Sequence, residues 1–135
     1  MKVGIDLIKV NRIKKIAENL ESAKKIFTPA ELNYILSKRS SILEVNQSNK
    51  MKPTPMENTM AGMFSAKEAV LKAMGVGVNK GIGFADVEIG HDDLGAPAAK
   101  VSEKALKTAK LDKNCQILVN ISHDGGYATA ICVII

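Results

Sequence analysis

The sequence contains no tryptophan and few other aromatic residues, with three phenylalanines and two tyrosines among 135 residues. Proteins that bind single-stranded nucleic acid stack bases on such side chains, so this scarcity argues against a nucleic-acid-binding module. No apolar run approaches the roughly 20 residues of a membrane-spanning helix. The start is a poor match for a signal peptide because Asp6 interrupts its short apolar run. We therefore expect neither nucleic acid nor a membrane as partner.

Cysteine is also scarce. Cys115 and Cys132 lie in separate strand-like runs, and neither belongs to a C-x-x-C pair. This spacing favours free, buried thiols over a disulfide. Free thiols are typical of the reducing cytoplasm, which is the expected location.

Positive charge is in excess, with a formal net charge of +5 and a pI of about 9.2. Such a balance favours an anionic partner, either nucleic acid, a phosphorylated ligand or an acidic protein. A lysine-rich surface that only maintains solubility is the alternative. The length corresponds to one domain, residues 1–135, which is long enough to bury its own core.

The order of apolar patterns predicts an α+β domain with a largely antiparallel sheet. A strand over 3–8 enters a helix over 10–20, whose apolar face holds Val10, Ile13, Ile16, Ala17 and Leu20. The next helix begins at a capping box formed by Thr28 and Glu31, with Pro29 at its first position. Later segments predict strands at 84–90, 96–101, 115–122 and 127–135, and a helix capped by Ser102.

The polar, proline-broken segment 45–59 predicts a mobile loop. A helix capped by Asn58 or Thr59 follows it and ends at Gly75 in the left-handed conformation. On this helix Lys67 falls within the apolar arc, where a lysine requires a partner or must extend to solvent. Glu68 and Lys72 lie along the margin of that arc. They form either an exposed ion pair worth about 0.2–0.5 kcal/mol or part of a ligand site.

Two further polar residues interrupt apolar patterns. Asp6 stands within "VGIDLI", where it either caps a turn or joins Glu68 in a divalent-cation site. Magnesium fits two carboxylates because it keeps several waters and completes its shell with substrate phosphates. His123 in "NISHDGGYATA" is either a polar turn residue or a group that contacts phosphate or transfers protons. His91 has no ligand-forming neighbour in sequence and is expected at the surface.

The order and spacing of these segments resemble the holo-acyl-carrier-protein synthase family of 4′-phosphopantetheinyl transferases. The matching segments are "GIDLIKVNRI" (4–13), "FTPAEL" (27–32), "AGMFSAKEAVLKAMGVG" (61–77), "FADVEI" (84–89), "GAP" (95–97) and "ISHDGGYATA" (121–130). The resemblance implies a small α+β subunit, a homotrimer, and coenzyme A bound between neighbouring subunits. The implied reaction moves the phosphopantetheine arm of coenzyme A onto a serine of the apo acyl carrier protein and releases adenosine 3′,5′-bisphosphate.

The same resemblance implies a role for each matching residue. Asp6 and Glu68 would hold Mg²⁺ against the pyrophosphate, and Lys72 would reach the same phosphates. The other implied contacts are His123 with Ser122 on the nucleotide phosphates, Gly75, Gly77, Gly95 and Pro97 around the cleft, and Arg12 on the carrier protein. Either Glu68 or a metal-held water beside Asp6 would be the general base.

The sequence departs from the family pattern at three places. Met63 stands where many relatives carry an arginine, and Lys9 stands where an acid is common. The 45–59 segment is longer than usual and lies where it would alter the coenzyme A entrance. Two rival interpretations remain, a basic nucleic-acid-binding module and a coenzyme A-binding relative that has lost catalysis. Retention of Asp6, Glu68 and Lys72 together argues against the second.

Overall fold

A computed structural model describes residues 1–39 and 52–135 of the chain. Its helices and strands are segregated along the chain in an α+β arrangement, as the sequence predicts. In chain order they are β1 (Lys2–Lys9), α1 (Val10–Ala17), α2 (Leu20–Ile26), α3 (Pro29–Ser37), α4 (Pro55–Met74), β2 (Val87–His91), β3 (Pro97–Val101), α5 (Glu103–Thr108), β4 (Ile117–Asp124) and β5 (Tyr127–Ile134). Short 3₁₀ helices lie at Val78–Lys80 and Phe84–Asp86.

The strands form one antiparallel five-stranded sheet in the order β1-β5-β4-β3-β2. Alternate side chains of a strand point to opposite faces. One face is covered by α4. The strand residues on this face include Gly4, Ile8 and Ala130. The first and last strands along the chain are neighbours, which brings the Asp6 region beside the C-terminal hairpin.

Gly4 sets how closely β1 approaches α4. A Cβ atom at Gly4 would lie 2.0 Å from the Ala69 carbonyl oxygen and 2.5 Å from the Ala73 nitrogen. Both are backbone atoms of the helix and cannot move aside without moving the helix. Only glycine therefore allows β1 and α4 to lie this close, two residues before Asp6.

The predicted helix over 10–20 is wrong in its last three residues. It ends at Ala17, and Asn19 caps a new helix by accepting hydrogen bonds from the Glu21 and Ser22 amides. Asparagine competes with helix continuation in this way because its side chain replaces the backbone acceptor. Leu20 consequently leaves the predicted apolar face and is exposed.

The predicted start of α4 is also wrong. Thr54 is the N-cap and Pro55 the first helical residue, with Glu57 completing a capping box. Residues 55–59 of the predicted mobile loop are therefore helical, while 45–51 lie outside the described residues. The other predicted caps are confirmed, namely the box at Thr28 and Glu31, Ser102 on α5, and Gly75 with a φ of 68°.

Lys67 finds the partner that its buried position requires. Its ammonium lies 2.5 Å from Glu31 Oε2, and both side chains are fully buried. Glu31 also accepts from the Thr28 and Ile89 amides, at 2.8 and 2.7 Å. Burial lowers the pKa of Lys67, and the hydrogen bond and charge of Glu31 oppose that shift. The pair links α4 to α3 and β2.

Both cysteines are free, as predicted, although Cys115 is only partly buried. Cys132 is buried, and burial raises the pKa of its thiol to about 11, which leaves little reactive thiolate. Among the residues that the structure describes, no helix has the length and apolarity to cross a membrane.

Candidate active site

Asp6 lies on the face of β1 that packs against α4. Its backbone carbonyl accepts hydrogen bonds from two hydroxyls, Ser65 Oγ at 3.1 Å and Thr129 Oγ1 at 2.7 Å. One hydroxyl comes from α4 and the other from β5, so three elements meet at this residue. The Asp6 side chain is only 13% exposed. Its carboxylate is therefore held in place rather than free to move in solvent.

Lys72, which follows Ser65 on α4, also contacts Asp6. Its ammonium donates to Asp6 Oδ1 at 2.8 Å and to the Ile5 carbonyl at 3.2 Å. Half of the Lys72 side chain remains exposed. Lys72 therefore pairs with Asp6 across the helix–strand junction, instead of forming the exposed pair with Glu68 that was one of the two alternatives.

Glu68 provides a second carboxylate at the same junction. Burial raises the pKa of the Glu68 carboxyl, the negative charge of Asp6 raises it further, and the positive charge of Lys72 lowers it. The effect of the Asp6 charge on Glu68 requires that the two carboxylates lie close together. Such like-charge pairs in a cleft favour either a shared proton or a bound cation.

The donor set fits a divalent cation. Asp6 Oδ2 is buried and has no hydrogen-bond partner within the described part of the chain. An unsatisfied buried carboxylate oxygen is energetically costly unless a ligand binds it. The described residues contain no cluster of three or more His, Cys, Asp or Glu side chains able to hold a metal. Two carboxylate oxygens match Mg²⁺, whose remaining ligands are usually water and substrate phosphate.

A cleft of about 410 Å³ opens beside these groups. Glu68, Lys72, Gly75 and Gly77 line it. Lys80 and Phe84 also line it. The Lys80 ammonium donates to the Gly75 carbonyl at 3.0 Å, at the end of α4. The cleft therefore combines positive charge with one apolar wall, a composition suited to a phosphorylated ligand with an apolar arm.

His123 lies near the end of β4 rather than within the hairpin turn, where the sequence had placed it. Its Nε2 is 2.8 Å from the Asn58 carbonyl on α4. It lines a separate cleft of about 530 Å³ with Lys52 and Tyr127. Ser122 is on the opposite, exposed face of β4, where it lines a shallow hollow with Ile5 and Ile131. Within one chain, the side chains of Ser122 and His123 therefore lie on opposite faces of the sheet and line different cavities.

Gly95 and Pro97 lie far from Asp6 in the sheet. They belong to the β2–β3 hairpin, whereas β1 is the strand at the other edge. Gly95 adopts a φ of 85° in the turn. Arg12 is exposed on α1, immediately after β1. Met63 is buried in the core and is not among the residues that line the cleft.

Sequence reasoning missed three residues that shape the site, Gly4, Ser65 and Thr129. A glycine inside a strand pattern is a general indication of close backbone approach, so Gly4 was detectable. Ser65 and Thr129 carried no such indication, since their acceptor is a backbone carbonyl distant in sequence.

A sequence profile of the 4′-phosphopantetheinyl transferase superfamily matches residues 2–132. The chain belongs to that superfamily. Within it, the chain is 40% identical over 134 residues to the holo-[acyl-carrier-protein] synthase of Fusobacterium nucleatum, covering 98% of this chain and 97% of the relative. It is 35% identical over 133 residues to that of Geobacter sulfurreducens, covering 97% and 94%.

Solved structures agree with this assignment. The Helicobacter pylori holo-[acyl-carrier-protein] synthase in complex with coenzyme A superposes with a TM-score of 0.74 at 27% identity, covering 98% of each chain. The Bacillus anthracis holo-(acyl-carrier-protein) synthase in complex with CoA (3′,5′-ADP) gives 0.71 at 28% identity, covering 98% of this chain and 94% of that one.

Proposed function

We propose that this protein is a Mg²⁺-dependent holo-[acyl-carrier-protein] synthase. It transfers the 4′-phosphopantetheine group of coenzyme A to a serine of apo acyl carrier protein and releases adenosine 3′,5′-bisphosphate. Membership of the superfamily supports the reaction class. The observation that carries the assignment to this chain is the cluster of Asp6, Glu68 and Lys72, in which one buried carboxylate oxygen has no partner among residues 1–39 and 52–135.

The residues present suit phosphoryl transfer. Such reactions depend mainly on positioning and on stabilising charge that develops on phosphate oxygens. Asp6 and Glu68 would hold the metal, which when bound neutralises pyrophosphate charge. Lys72 would exchange its bond to Asp6 for one to the phosphates and stabilise the leaving group. The Gly75 and Gly77 backbone would line the path of the pantetheine arm beside Phe84.

The surroundings of Glu68 also suit it to act as the general base. A Glu68 carboxylate with a raised pKa is a better proton acceptor than an ordinary glutamate, which favours Glu68 in this role. A water activated beside Asp6 is the alternative. His123, with Nε2 bonded to Asn58, would contact a phosphate through Nδ1.

The assembly that we propose is a homotrimer with each site shared between subunits. The sheet face opposite α4 exposes a band of large apolar side chains, with Val3 55%, Ile5 63%, Leu7 64%, Leu118 51% and Ile131 42% accessible. Contiguous exposed apolar surface marks an interface. Gly95 and Pro97 lie at the far edge of the sheet, so they would meet the Asp6 site of a neighbouring copy. Ser122, on the same exposed face, would be shared in the same way.

Native mass spectrometry tests this assembly. We expect a mass three times that of the 14.5 kDa subunit. Ile5→Asp, which places a charge in the apolar band, should yield a monomer that retains its helical content. A monomeric wild-type protein with full transfer activity would contradict the shared site.

Arg12 would contact the acidic carrier protein. It is exposed on α1, and Lys15 lies one turn further along the same helix. We expect Arg12→Glu to raise KM for the carrier protein with little change in KM for coenzyme A, because long-range charge attraction acts on association. Lys25→Glu, an equal charge change on α2, is the matched control. The free thiols agree with a cytoplasmic location.

The test of function is the mass of apo acyl carrier protein after incubation with this protein, coenzyme A and Mg²⁺. We expect a gain of one phosphopantetheine group, roughly 340 Da from its composition, and no gain when a chelator replaces Mg²⁺. Coenzyme A binding without any gain across several carrier proteins would identify a non-catalytic relative instead.

A further inference from the structure

The imidazole of His123 is held by a helix carbonyl. His123 lies on the face of β4 that packs on α4, and its Nε2 is 2.8 Å from the Asn58 carbonyl oxygen. A carbonyl only accepts, so Nε2 must carry the hydrogen. Nδ1 has no hydrogen-bond partner among residues 1–39 and 52–135, and it is the nitrogen that a ligand would meet.

In most helices a carbonyl at the position of Asn58 is shielded from a second hydrogen-bond donor. In an α-helix it already accepts from the amide of residue 62. Helical side chains lean toward the N-terminus, so the side chain of residue 62 would cover the turn that contains this carbonyl. At this position the chain has glycine, the single glycine between Pro55 and Met74.

Any side chain at position 62 would displace the imidazole. A Cβ atom there would lie 2.7 Å from His123 Nε2 and 3.0 Å from its Cε1. It would also lie 3.0 Å from Ile121 Cγ2, which needs a shift of only a few tenths of an ångström. Carbon atoms do not approach a ring nitrogen to 2.7 Å without a bond, so the ring would have to rotate away from Asn58.

Helix stability does not account for this glycine. Glycine within a helix is less favourable than alanine by roughly 1 kcal/mol. Backbone conformation does not require it either, because residue 62 lies inside a regular helix and has no positive φ. The close contact with His123 and Ile121 is the feature that requires the missing side chain.

We infer that Gly62 is a positioning residue for His123. By leaving the Asn58 carbonyl uncovered, it fixes which nitrogen carries the hydrogen and directs Nδ1 to the ligand. Gly62 itself contacts no substrate. The inference rests on the proposed function for the identity of that ligand, a phosphate of coenzyme A. The placement of the imidazole does not depend on it.

A double-mutant cycle tests the inference. Gly62→Ala and His123→Ala should each lower kcat/KM for coenzyme A by about 10- to 100-fold, the range for one hydrogen bond to a charged group. The variant with both substitutions should be no slower than His123→Ala alone, because the alanine acts only through the imidazole. Gly90→Ala, at which an added Cβ meets no atom within 4 Å, is the control and should retain wild-type activity.

Nuclear magnetic resonance of the imidazole nitrogens provides a second readout that needs no turnover. Wild-type His123 should show a hydrogen-bonded Nε2–H, and Gly62→Ala should lose that signature while its melting temperature changes little. If wild-type protein transfers nothing, this spectrum still decides the placement of the imidazole, so the two proposals fail separately.

Two results would overturn the inference, multiplicative losses in the double variant or unchanged imidazole resonances in Gly62→Ala. If Gly62→Ala alone does not fold, the double variant replaces it. Folding of the double variant would show that the clash is with His123 and support the inference. If the double variant also fails to fold, the clash is with the rest of the core, and the inference is overturned.

Discussion

Lys67 and Lys72 lie on the same helix and each pairs with a carboxylate from another segment, yet the two pairs differ in every other respect. The Lys67–Glu31 pair is fully buried, and Glu31 accepts from two backbone amides as well. The Lys72–Asp6 pair is half exposed on the lysine side, and Asp6 keeps a buried oxygen without a partner among the described residues. A charge cluster whose bonds are complete stabilises structure, whereas an incomplete one at a cleft is available to a ligand. Four changes to the chain or its conditions would break or sharpen this contrast.

The largest effect is expected on stability, from Lys67→Met. It leaves the Glu31 carboxylate buried without its cation, which typically lowers the free energy of unfolding by about 3–5 kcal/mol. Urea denaturation measures the loss. Glu31→Gln combined with Lys67→Met removes both charges and should recover much of it. A single variant as stable as wild type would show that the buried pair does not hold α4 in place.

Glu68→Gln should produce the opposite pattern. Transfer should fall on the order of 10²–10³-fold, because a metal ligand is lost where charge develops. The metal-free protein should melt slightly higher. The pKa of Glu68 is raised in the fold, so its ionised form is disfavoured there above that pKa, and the neutral amide removes this penalty. Initial rates of carrier-protein modification measure the loss of transfer, and differential scanning calorimetry without Mg²⁺ measures the change in melting temperature.

Gly4→Ala tests whether close approach of β1 to α4 builds the site. The added Cβ would meet helix backbone at 2.0 Å, so the strand and helix must separate. Overpacking of this kind typically lowers stability by about 1–3 kcal/mol. Because Asp6 moves with the strand, Mg²⁺ affinity measured by calorimetry should fall too. Gly83→Ala, where an added Cβ has no neighbour within 4 Å, should change neither.

The smallest effect is on pH dependence. Glu68 must be ionised to hold a metal, and its pKa is raised above the ordinary value of 4.5. Transfer should therefore decline as pH falls through that raised value, at a higher pH than an ordinary glutamate would allow. Excess Mg²⁺ should shift the decline to lower pH, because metal and proton compete. A pH profile that does not change with Mg²⁺ concentration would show that protonation of Glu68 does not cause the decline.

The features that sequence predicted correctly depend on short stretches of chain. Thr28, Pro29 and Glu31 form a capping box within four residues, and Gly75 stops α4 at its own position. Strand alternation and the glycine turn between β4 and β5 are equally local. Each of these depends on neighbours in sequence, so the pattern contains the needed information.

The features that it missed depend on competition or on distance. Proline breaks the interior of a helix but is favoured in its first turn, so the pattern "KPTPMENT" predicts a loop although Thr54 caps α4 there. Asn19 ended the first helix because its own side chain capped the next. The partner of Lys67 lies 36 residues away, which no local pattern specifies. The pairing of Lys72 with Asp6 rather than with Glu68 also depends on the tertiary fold, so sequence could not predict it.

The most direct measurement compares two variants in one assay, the Mg²⁺-dependent mass gain of apo acyl carrier protein with coenzyme A. Glu68→Gln changes the incomplete cluster, and the Glu31→Gln, Lys67→Met double variant changes the complete one. At a temperature where both are folded, and within the time that wild-type protein needs to finish the reaction, we expect the double variant to modify the carrier protein and Glu68→Gln to leave nearly all of it unmodified. Full modification by Glu68→Gln would contradict the assignment of Asp6, Glu68 and Lys72 as the active site.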